Sequence, residues 1–415
     1  MKRWNKIMSS MLAASVAAMA LAGCGSSSGS STADTSSAAA AATEAAAGTT
    51  EAASSDAAAS GETFKIGVIG PLTGSAAQYG TGVANAAQIA VDEVNANGGI
   101  NGYQVELQAE DDALDNQQSV NCYNTLKDWG MQFLLGSVTS ACSIAVSEET
   151  HNDNMFQLTP SGSAVDCVKY DNAFRVCFSD PNQGTKSAQY IGEHKLATNV
   201  AIIYDSSDVY SSGITNTFVT EAANQGLNIV SQTAFTADSK TDFSSQVQQA
   251  KDAGADLVFL PIYYTEAALI LQQANAIDYH PTFFGCDGLD GILGVENFDT
   301  SLAEGVMLLT PFAADATDEL TQNFVKAYKA AYNDTPNQFA ADAYDGIYAI
   351  KAAAEKANLT PDMSVSDICD AMETAMTEIS ISGLTGDPIT WTADGEPEKE
   401  PKAVIIKDGA YVSAD

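Results

Sequence analysis

Cysteine and histidine side chains are the first candidates for chemistry, because thiolates and imidazoles bind metals and act as nucleophiles. The chain has seven cysteines and three histidines, at Cys24, Cys122, Cys142, Cys167, Cys177, Cys286, Cys369, His151, His194 and His280. No CxxC pair occurs, and no histidine stands at a metal-ligand spacing from a cysteine. We therefore expect neither a metal centre nor a bound cofactor.

Motifs that would indicate an enzyme give no positive signal. The sequence has no GxxxxGK[ST] phosphate loop and no GxGxxG after a predicted strand. The one GxSxG match, Gly25–Gly29, falls in a Ser/Ala-rich stretch where no nucleophile would be supported. Asp111, Asp112 and Asp115 lie between a predicted strand and a helix, a position that favours acids near the helix N-terminus. We therefore predict no catalytic residues.

The N-terminal residues 1–23 have the pattern of a secretory signal. A basic head precedes a short apolar run that ends in Leu21-Ala22-Gly23-Cys24. This ending resembles the lipobox of bacterial lipoproteins, which implies cleavage before Cys24 and lipid on its thiol. Residues 24–61 are nearly all Ser, Ala, Thr and Gly, a composition typical of a disordered tether. We expect the protein to be lipid-anchored at the outer face of the bacterial cytoplasmic membrane.

This location leaves two alternatives for the six cysteines beyond Cys24. An even number outside the cell permits up to three disulfides, and short spacing favours Cys167–Cys177 and Cys122–Cys142. In an organism that lives without oxygen, all six would be buried thiols.

The charge balance excludes one class of partner. The formal net charge is −35, with 53 acidic residues against 18 lysines and arginines. Such a chain repels the phosphate backbone, so nucleic acid is not an expected partner.

Short apolar runs alternate with longer helical stretches from Phe64 onward. Strands are predicted at Phe64–Ile69, Gln104–Ala109, Phe133–Leu135, Met155–Leu158, Ala201–Tyr204, Leu257–Pro261, Val306–Leu309 and Ala403–Ile406. Helices are predicted at Gly82–Asn95, Gln117–Trp129, Ile214–Gln225, Phe243–Ala253 and Glu266–Ala276. Strands separated by helices of this length indicate βαβ units and parallel sheets, in two blocks at about 64–180 and 182–305.

An ordered series of loops carries a family resemblance. The segments are FKIGVIGPLTGSAAQYG (64–80), NANGGING (95–102), EDD (110–112), GSVTSACS (136–143), LTPSGS (158–163), AIIYDSSDVY (201–210), LVFLPIYYTE (257–266), FGCDG (284–288) and EGVM (304–307). This series resembles the leucine/isoleucine/valine-binding protein family of periplasmic-type receptors, the substrate-binding proteins of ABC importers.

The resemblance implies an α/β fold of two Rossmann-like lobes with parallel sheets, joined by a multi-strand hinge. Lobe 1 would comprise 62–180 plus about 311–385, and lobe 2 would comprise 181–310 plus about 386–415. It also implies a monomer that captures an amino acid, branched-chain by default, and delivers it to ABC permease subunits. A surface sensor for a signalling receptor, or a receptor for an amide or organic acid, would share the same binding chemistry.

The resemblance also assigns ligand-binding roles residue by residue. Ser140 and Ser163 match hydroxyls that bind the ligand carboxylate, and Ser161 matches a backbone contact. Asp287 matches the acidic partner of the ligand ammonium, although relatives often carry the longer Glu there. The covering aromatic residues are matched by Tyr79, Tyr210 and Tyr263.

One departure concerns a disulfide of some relatives. Its two positions match Leu114 and Thr139, and neither is a cysteine here. Cys122 and Cys142 lie nearby and are candidates for a replacement bridge.

Overall fold

The computed structural model describes residues 61–414. The predicted signal peptide, the lipidated Cys24 and the tether lie outside these described residues. Within residues 61–414, the helices are all too short or too polar to cross a bilayer.

The first sheet is built from the N-terminal third of the described chain. Its five strands are β1 (Phe64–Gly70), β2 (Val105–Asp111), β3 (Phe133–Gly136), β4 (Gln157–Thr159) and β5 (Ala173–Arg175). They are all parallel, in the order β2-β1-β3-β4-β5. Strands β1 and β3 are almost wholly buried, as expected for central strands covered on both faces.

Helices cover both faces of the first sheet and come from two separate parts of the chain. They are α1 (Ala77–Ala96), α2 (Asn116–Trp129), α3 (Ser140–Asp153), α8 (Glu319–Tyr332), α9 (Gln338–Lys356) and α10 (Val365–Met376). Helix α9 packs along α1, and small buried alanines on both helices permit the close approach. The C-terminal helices thus belong to the same body as the N-terminal strands.

The second sheet has seven strands and a mixed pattern. Its strands are β6 (Asn199–Asp205), β7 (Asn228–Phe235), β8 (Leu257–Leu260), β9 (Thr282–Gly285), β10 (Met307–Thr310), β13 (Lys402–Lys407) and β14 (Ala410–Ser413). The order is β14-β13-β10-β9-β8-β6-β7. Strands β6 to β10 are mutually parallel, whereas β13 and β14 are antiparallel additions at one edge. The helices connecting these strands are α4 (Asp180–Glu193), α5 (Val209–Asn224), α6 (Ser244–Asp252) and α7 (Tyr264–Ala276).

The chain passes between the two sheets three times. It leaves the first sheet after β5, returns as α8 after β10, and enters the second sheet again at Lys402. Before the last crossing, β11 (Thr390–Trp391) pairs with β12 (Pro397–Glu398). The Trp391 indole N–H donates to the Arg175 carbonyl at 2.8 Å, which fixes this hairpin against the end of β5.

Three elements near the crossing and the site lack the patterns used for the prediction. Helix α3 buries Ser140, Cys142, Ser143, Ser147 and Thr150, so it has no apolar stripe that sequence periodicity would detect. Helix α4 likewise buries polar side chains, and edge strand β7 is mostly half-buried or exposed, with one buried residue at its end. All eight predicted strands and five predicted helices are present, with ends displaced by a few residues.

Candidate functional site

A narrow cavity between the two sheets collects most of the predicted ligand-binding residues. It is lined by Tyr79, Val138, Thr139, Ser140, Ser161, Tyr210, Tyr263, Asp287, Gly288 and Phe339. Six of the seven predicted residues are in this set. The seventh, Ser163, is fully buried behind Ser140, with the two Oγ atoms 3.5 Å apart. The structure brings the residues together, and their role in binding remains a prediction.

The first-sheet side of the cavity is a pair of serine-containing loops. Ser140 Oγ accepts from the backbone N–H groups of Ser163 and Ala164, both at 3.1 Å. Ser161 Oγ donates to the Val138 carbonyl at 2.6 Å. These bonds tie the loop before α3 to the loop after β4. Ser140 is also the first residue of α3, where unpaired N–H groups and the helix dipole favour a carboxylate.

Arg175 stabilises the second of these loops from behind. Its guanidinium is fully buried and donates to the carbonyls of Gly162 and Ala164, each at 3.0 Å, and to that of Ser163. It also forms an ion pair with Glu396 at 3.3 Å. Because several carbonyls are held by one rigid, planar group, Arg175 fixes the shape of the loop that presents Ser161 and Ser163. Sequence reasoning did not single out this residue.

Tyrosines join the two sides of the cavity. The Tyr79 hydroxyl donates to the Gly288 carbonyl at 2.6 Å, and the Tyr79 ring lies 5.4 Å from the Tyr263 ring in an edge-on arrangement. Further contacts across the cleft run from Thr265 Oγ1 to the Ser75 carbonyl at 2.8 Å and from Gln78 N–H to the Tyr264 hydroxyl at 3.2 Å. The two lobes therefore meet directly around the cavity.

Asp287 is held by donors on the second-sheet side. Tyr210 donates its hydroxyl to Oδ1 at 2.6 Å, and the Gln183 amide donates to Oδ2 at 3.0 Å. Burial raises the pKa of Asp287 to about 6, and the hydrogen bonds from Tyr210 and Gln183 oppose that rise. A carboxylate has about four acceptor positions, so Asp287 can still accept from a ligand ammonium.

Gln183 and Phe339 are site residues that sequence reasoning missed. Gln183 also accepts from the Asp287 backbone N–H at 3.3 Å, so one amide holds both the side chain and the main chain of Asp287. The Phe339 ring packs 4.3 Å from the Tyr79 ring. Both residues come from segments far from Asp287 in the sequence, and only the fold brings them near it.

A larger chamber adjoins the narrow cavity. Its volume is about 230 Å³, and Thr139 and Tyr263 line both spaces. The remaining wall comes from Leu114, Asn116, Ala141, Cys142, Asp205, Ser207, Asp208, Ser211, Phe235, Ala237, Lys240, Ile262 and Glu266. The narrow cavity, with a volume of about 10 Å³, and the chamber are thus neighbouring spaces between the two lobes.

The cysteines are buried thiols in the structure. Neither Cys167–Cys177 nor Cys122–Cys142 is bonded, and all six described cysteines are unpaired. The side chains instead pack against polar groups: Cys122 Sγ lies 3.3 Å from the Asp111 carbonyl, and Cys142 Sγ lies 3.6 Å from Asn116 Oδ1. Burial raises the pKa of Cys142 to about 12, which disfavours the reactive thiolate. Of the two alternatives for these residues, the structure has the thiols.

Residues 61–414 also lack any group of three or more His, Cys, Asp or Glu side chains arranged to hold a metal ion.

Known proteins resemble this chain along most of its length. The family model described as periplasmic binding protein matches residues 63–410. The Leu/Ile/Val-binding protein BraC3 of Rhizobium johnstonii is 33% identical over 299 residues, covering 72% of this chain and 80% of the relative. The leucine-, isoleucine-, valine-, threonine-, and alanine-binding protein of Pseudomonas aeruginosa is 29% identical, and the match covers 71% of this chain and 79% of that relative.

A solved structure gives the same result for the fold. The branched-chain amino acid transporter substrate-binding protein LivJ of Streptococcus pneumoniae, in complex with isoleucine, has a TM-score of 0.77 and 27% identity. The match covers 84% of this chain and 98% of LivJ. These relatives are solute-binding proteins rather than enzymes, and their fold is the predicted one of two α/β lobes. The chain therefore belongs to the periplasmic binding protein family, as an extracytoplasmic-type solute-binding protein.

Proposed function

We propose that this chain is the solute-binding lipoprotein of an ABC importer, which captures an amino acid between its two lobes and delivers it to a membrane permease. The observation that best supports this proposal is that Ser140, Asp287 and Tyr79 line one cavity between the two sheets. An amino acid has a carboxylate, an ammonium and a side chain, and this cavity offers a partner for each charged group.

The carboxylate would lie at the N-terminus of α3. The helix begins at Ser140, and no side chain caps it. Backbone N–H groups there suit an anion. Ser161 and Ser163 belong to the facing loop, which Arg175 holds in place.

The ammonium would lie against Asp287. Asp287 is 4% exposed, so an ion pair there is poorly screened by water. The rings of Tyr79, Tyr210 and Tyr263 would cover the ligand, because tyrosine combines a flat apolar face with a polar tip.

Closure about the hinge would bury the ligand. We assign 62–180 plus about 311–385 to lobe 1 and 181–310 plus about 386–415 to lobe 2. Periplasmic binding proteins are a standard example of such closure, and ligand shifts the balance by binding the closed form more tightly. Branched-chain amino acids are the default ligands, because the relatives named above bind them.

A thermal-shift screen of the full chain against the free amino acids tests this assignment. A native-state ligand at a hundredfold excess over its Kd stabilises the fold by about 2.7 kcal/mol, so a binder raises the melting temperature. If no amino acid raises the melting temperature but an amide or an organic acid does, the ligand belongs to that class instead.

Membrane attachment is tested separately at Cys24. The unmodified chain should incorporate labelled fatty acid, whereas the Cys24→Ala variant should not. A Cys24→Ala variant that is labelled as strongly as the unmodified chain would contradict the lipid anchor. Co-purification with permease subunits, as opposed to a receptor kinase, would separate transport from the alternative role as a surface sensor.

A further inference from the structure

The Thr139 hydroxyl is an unsatisfied polar group at the centre of the candidate site. Thr139 occupies the residue before α3, where a threonine usually caps the helix by accepting from a backbone N–H. Its side chain makes no such bond. The residue is 5% exposed, and its Oγ1 makes no hydrogen bond of normal geometry in the described part of the chain, although it lies near enough to the Cys142 thiol to lower the pKa of that group. Buried hydroxyls are nearly always paired, so this one indicates a missing partner.

The position of Thr139 shows where that partner would be. Thr139 lies next to Ser140 and lines both the narrow cavity and the 230 Å³ chamber. The narrow cavity has a volume of about 10 Å³, so the lobes would have to part to admit the carboxylate and ammonium of a ligand, whose side chain would then extend past Thr139 into the chamber. The hydroxyl is therefore placed to contact the ligand side chain close to its branching point.

The chamber has apolar walls and an acidic rim. Leu114, Phe235 and Ile262 supply apolar surface. Asp208 and Glu266 supply carboxylates, and the chamber's cation, Lys240, pairs with Glu266 at 3.4 Å. Burial raises the pKa of Glu266, with Lys240 opposing the rise and the nearby Asp205 carboxylate adding to it. Burial also raises the pKa of Asp208 to about 6, and repulsion from Asp205 and Glu266 adds to that rise.

A purely aliphatic ligand side chain would be complementary to only part of the chamber surface. It would cover the apolar walls but leave the Thr139 hydroxyl unpaired and the carboxylates desolvated, which is unfavourable. A side-chain carboxylate would be repelled by Asp208 and Glu266. A side chain that ends in a hydrogen-bond donor suits the walls, the hydroxyl and the acidic rim together.

Given the proposed function, we propose that Thr139 is a specificity-determining residue and that the preferred ligand is an amino acid whose side chain carries a hydroxyl, carboxamide or ammonium donor. The assignment deepens the ligand class beyond the branched-chain default.

Matched pairs of ligands and of proteins test this assignment. Threonine and valine have nearly the same shape, as do asparagine, leucine and aspartate. Titration calorimetry on the full chain should give about tenfold tighter binding of threonine than valine and of asparagine than leucine. Aspartate should bind more weakly than asparagine.

The protein variants isolate the hydroxyl. Thr139→Val removes it with little change in volume and should reduce the threonine-over-valine and asparagine-over-leucine affinity ratios by about threefold or more. Thr139→Ser keeps the hydroxyl and should keep the preferences, which also covers the case in which Thr139→Val fails to fold.

The outcomes separate the two proposals. If the unmodified chain binds leucine and valine more tightly than asparagine and threonine, or if Thr139→Val leaves the ratios unchanged, the side-chain assignment is wrong and the amino-acid receptor stands. If no amino acid binds, the proposed function itself fails.

Discussion

The two ends of the candidate site differ in how fully their polar groups are satisfied. At one end, Asp287 accepts from Tyr210 at 2.6 Å and from Gln183 at 3.0 Å, so its carboxylate is held in one orientation. At the other end, Thr139 Oγ1 makes no hydrogen bond of normal geometry among the described residues, although it is equally buried. One end is preorganised, and the other is incomplete.

This difference matches the two parts of an amino-acid ligand. Every free amino acid has the same carboxylate and ammonium, so the groups that bind them can be fixed in advance by neighbouring side chains. The side chain is the variable part. A polar group left unpaired in the side-chain chamber discriminates by being satisfied only by some ligands.

Replacing the fixed acid should have the largest effect. Asp287→Asn keeps the shape of the side chain but removes the charge opposite the ligand ammonium. We expect binding of any zwitterionic amino acid to weaken by about 1.5–3 kcal/mol, or roughly 10- to 150-fold in Kd, measured by calorimetry.

Asp290 provides a matched control three residues away. It is similarly buried and accepts from the Gln338 N–H at 2.7 Å, but it lines a separate crevice and not the narrow cavity. Asp290→Asn should leave the affinity unchanged. An unchanged affinity in Asp287→Asn as well would remove Asp287 from the site.

Acid should weaken binding through the same carboxylate. The pKa of Asp287 is raised to about 6, mainly by burial, so the group becomes protonated as the pH falls below that value and loses its charge–charge attraction to an ammonium. We expect Kd to rise by up to about tenfold for each pH unit below 6. The Asp287→Asn variant should lack this rise in Kd at acid pH, which we call the acid limb of the binding curve. If the acid limb persists in the variant, another group is responsible for the titration.

The same pKa shift has the opposite consequence for folding without ligand. The folded pKa lies above the unfolded value of about 3.9, so the folded state binds more protons between these two pH values. The contribution of Asp287 to the free energy of unfolding is therefore greatest below about pH 4 and declines as the pH rises through about 6.

Sequence reasoning predicted most of the fold because buried parallel strands are short apolar runs. Strands β6 and β8 are examples, and each was predicted within two residues of its observed ends. It missed α3 and α4 because these helices bury polar and small residues, including Ser140 and Gln183, instead of an apolar stripe. Of those polar residues, Ser140 lines the cavity and Gln183 holds the carboxylate of Asp287, which also lines it.

The candidate site was predictable to the extent that its residues lie in recognisable loops. Asp287 and Tyr79 were found through the family resemblance, and they line the same cavity. Gln183 and Arg175 act through hydrogen bonds to groups distant in sequence, and no local pattern indicates such bonds. Thr139 was noted only as a position that some relatives use for a disulfide, and its lack of a partner is visible only in three dimensions.

Removing the amide that orients Asp287 should have a smaller effect than removing the acid. Gln183→Leu deletes a donor that lowers the pKa of Asp287, so the acid limb of the binding curve should move to higher pH. Affinity at pH 7.5 should fall by about three- to tenfold, the size of one hydrogen bond.

Gln189 lies on the same helix and provides the control for this change. Its amide donates to Glu221 at 3.3 Å, away from the cavity, so Gln189→Leu should leave the pH profile in place. If Gln183→Leu lowers the melting temperature without moving the acid limb, Gln183 has only a structural role.

The smallest effect is expected from reducing agents, which test the wall of the chamber beside Thr139. Cys142 lines that chamber, and a bond to Cys122 would constrain the wall, but both are thiols in the structure. All six described cysteines are buried, and burial raises their pKa values. Thiol reagents should therefore react only slowly with the folded protein, whereas after denaturation they should react with all six of these thiols. Reductant should change neither the melting temperature nor the donor preference. The contrary result is that only four of these six thiols react after denaturation and that reductant changes the preference for asparagine over leucine. It would show that a disulfide and not the Thr139 hydroxyl shapes this end of the site.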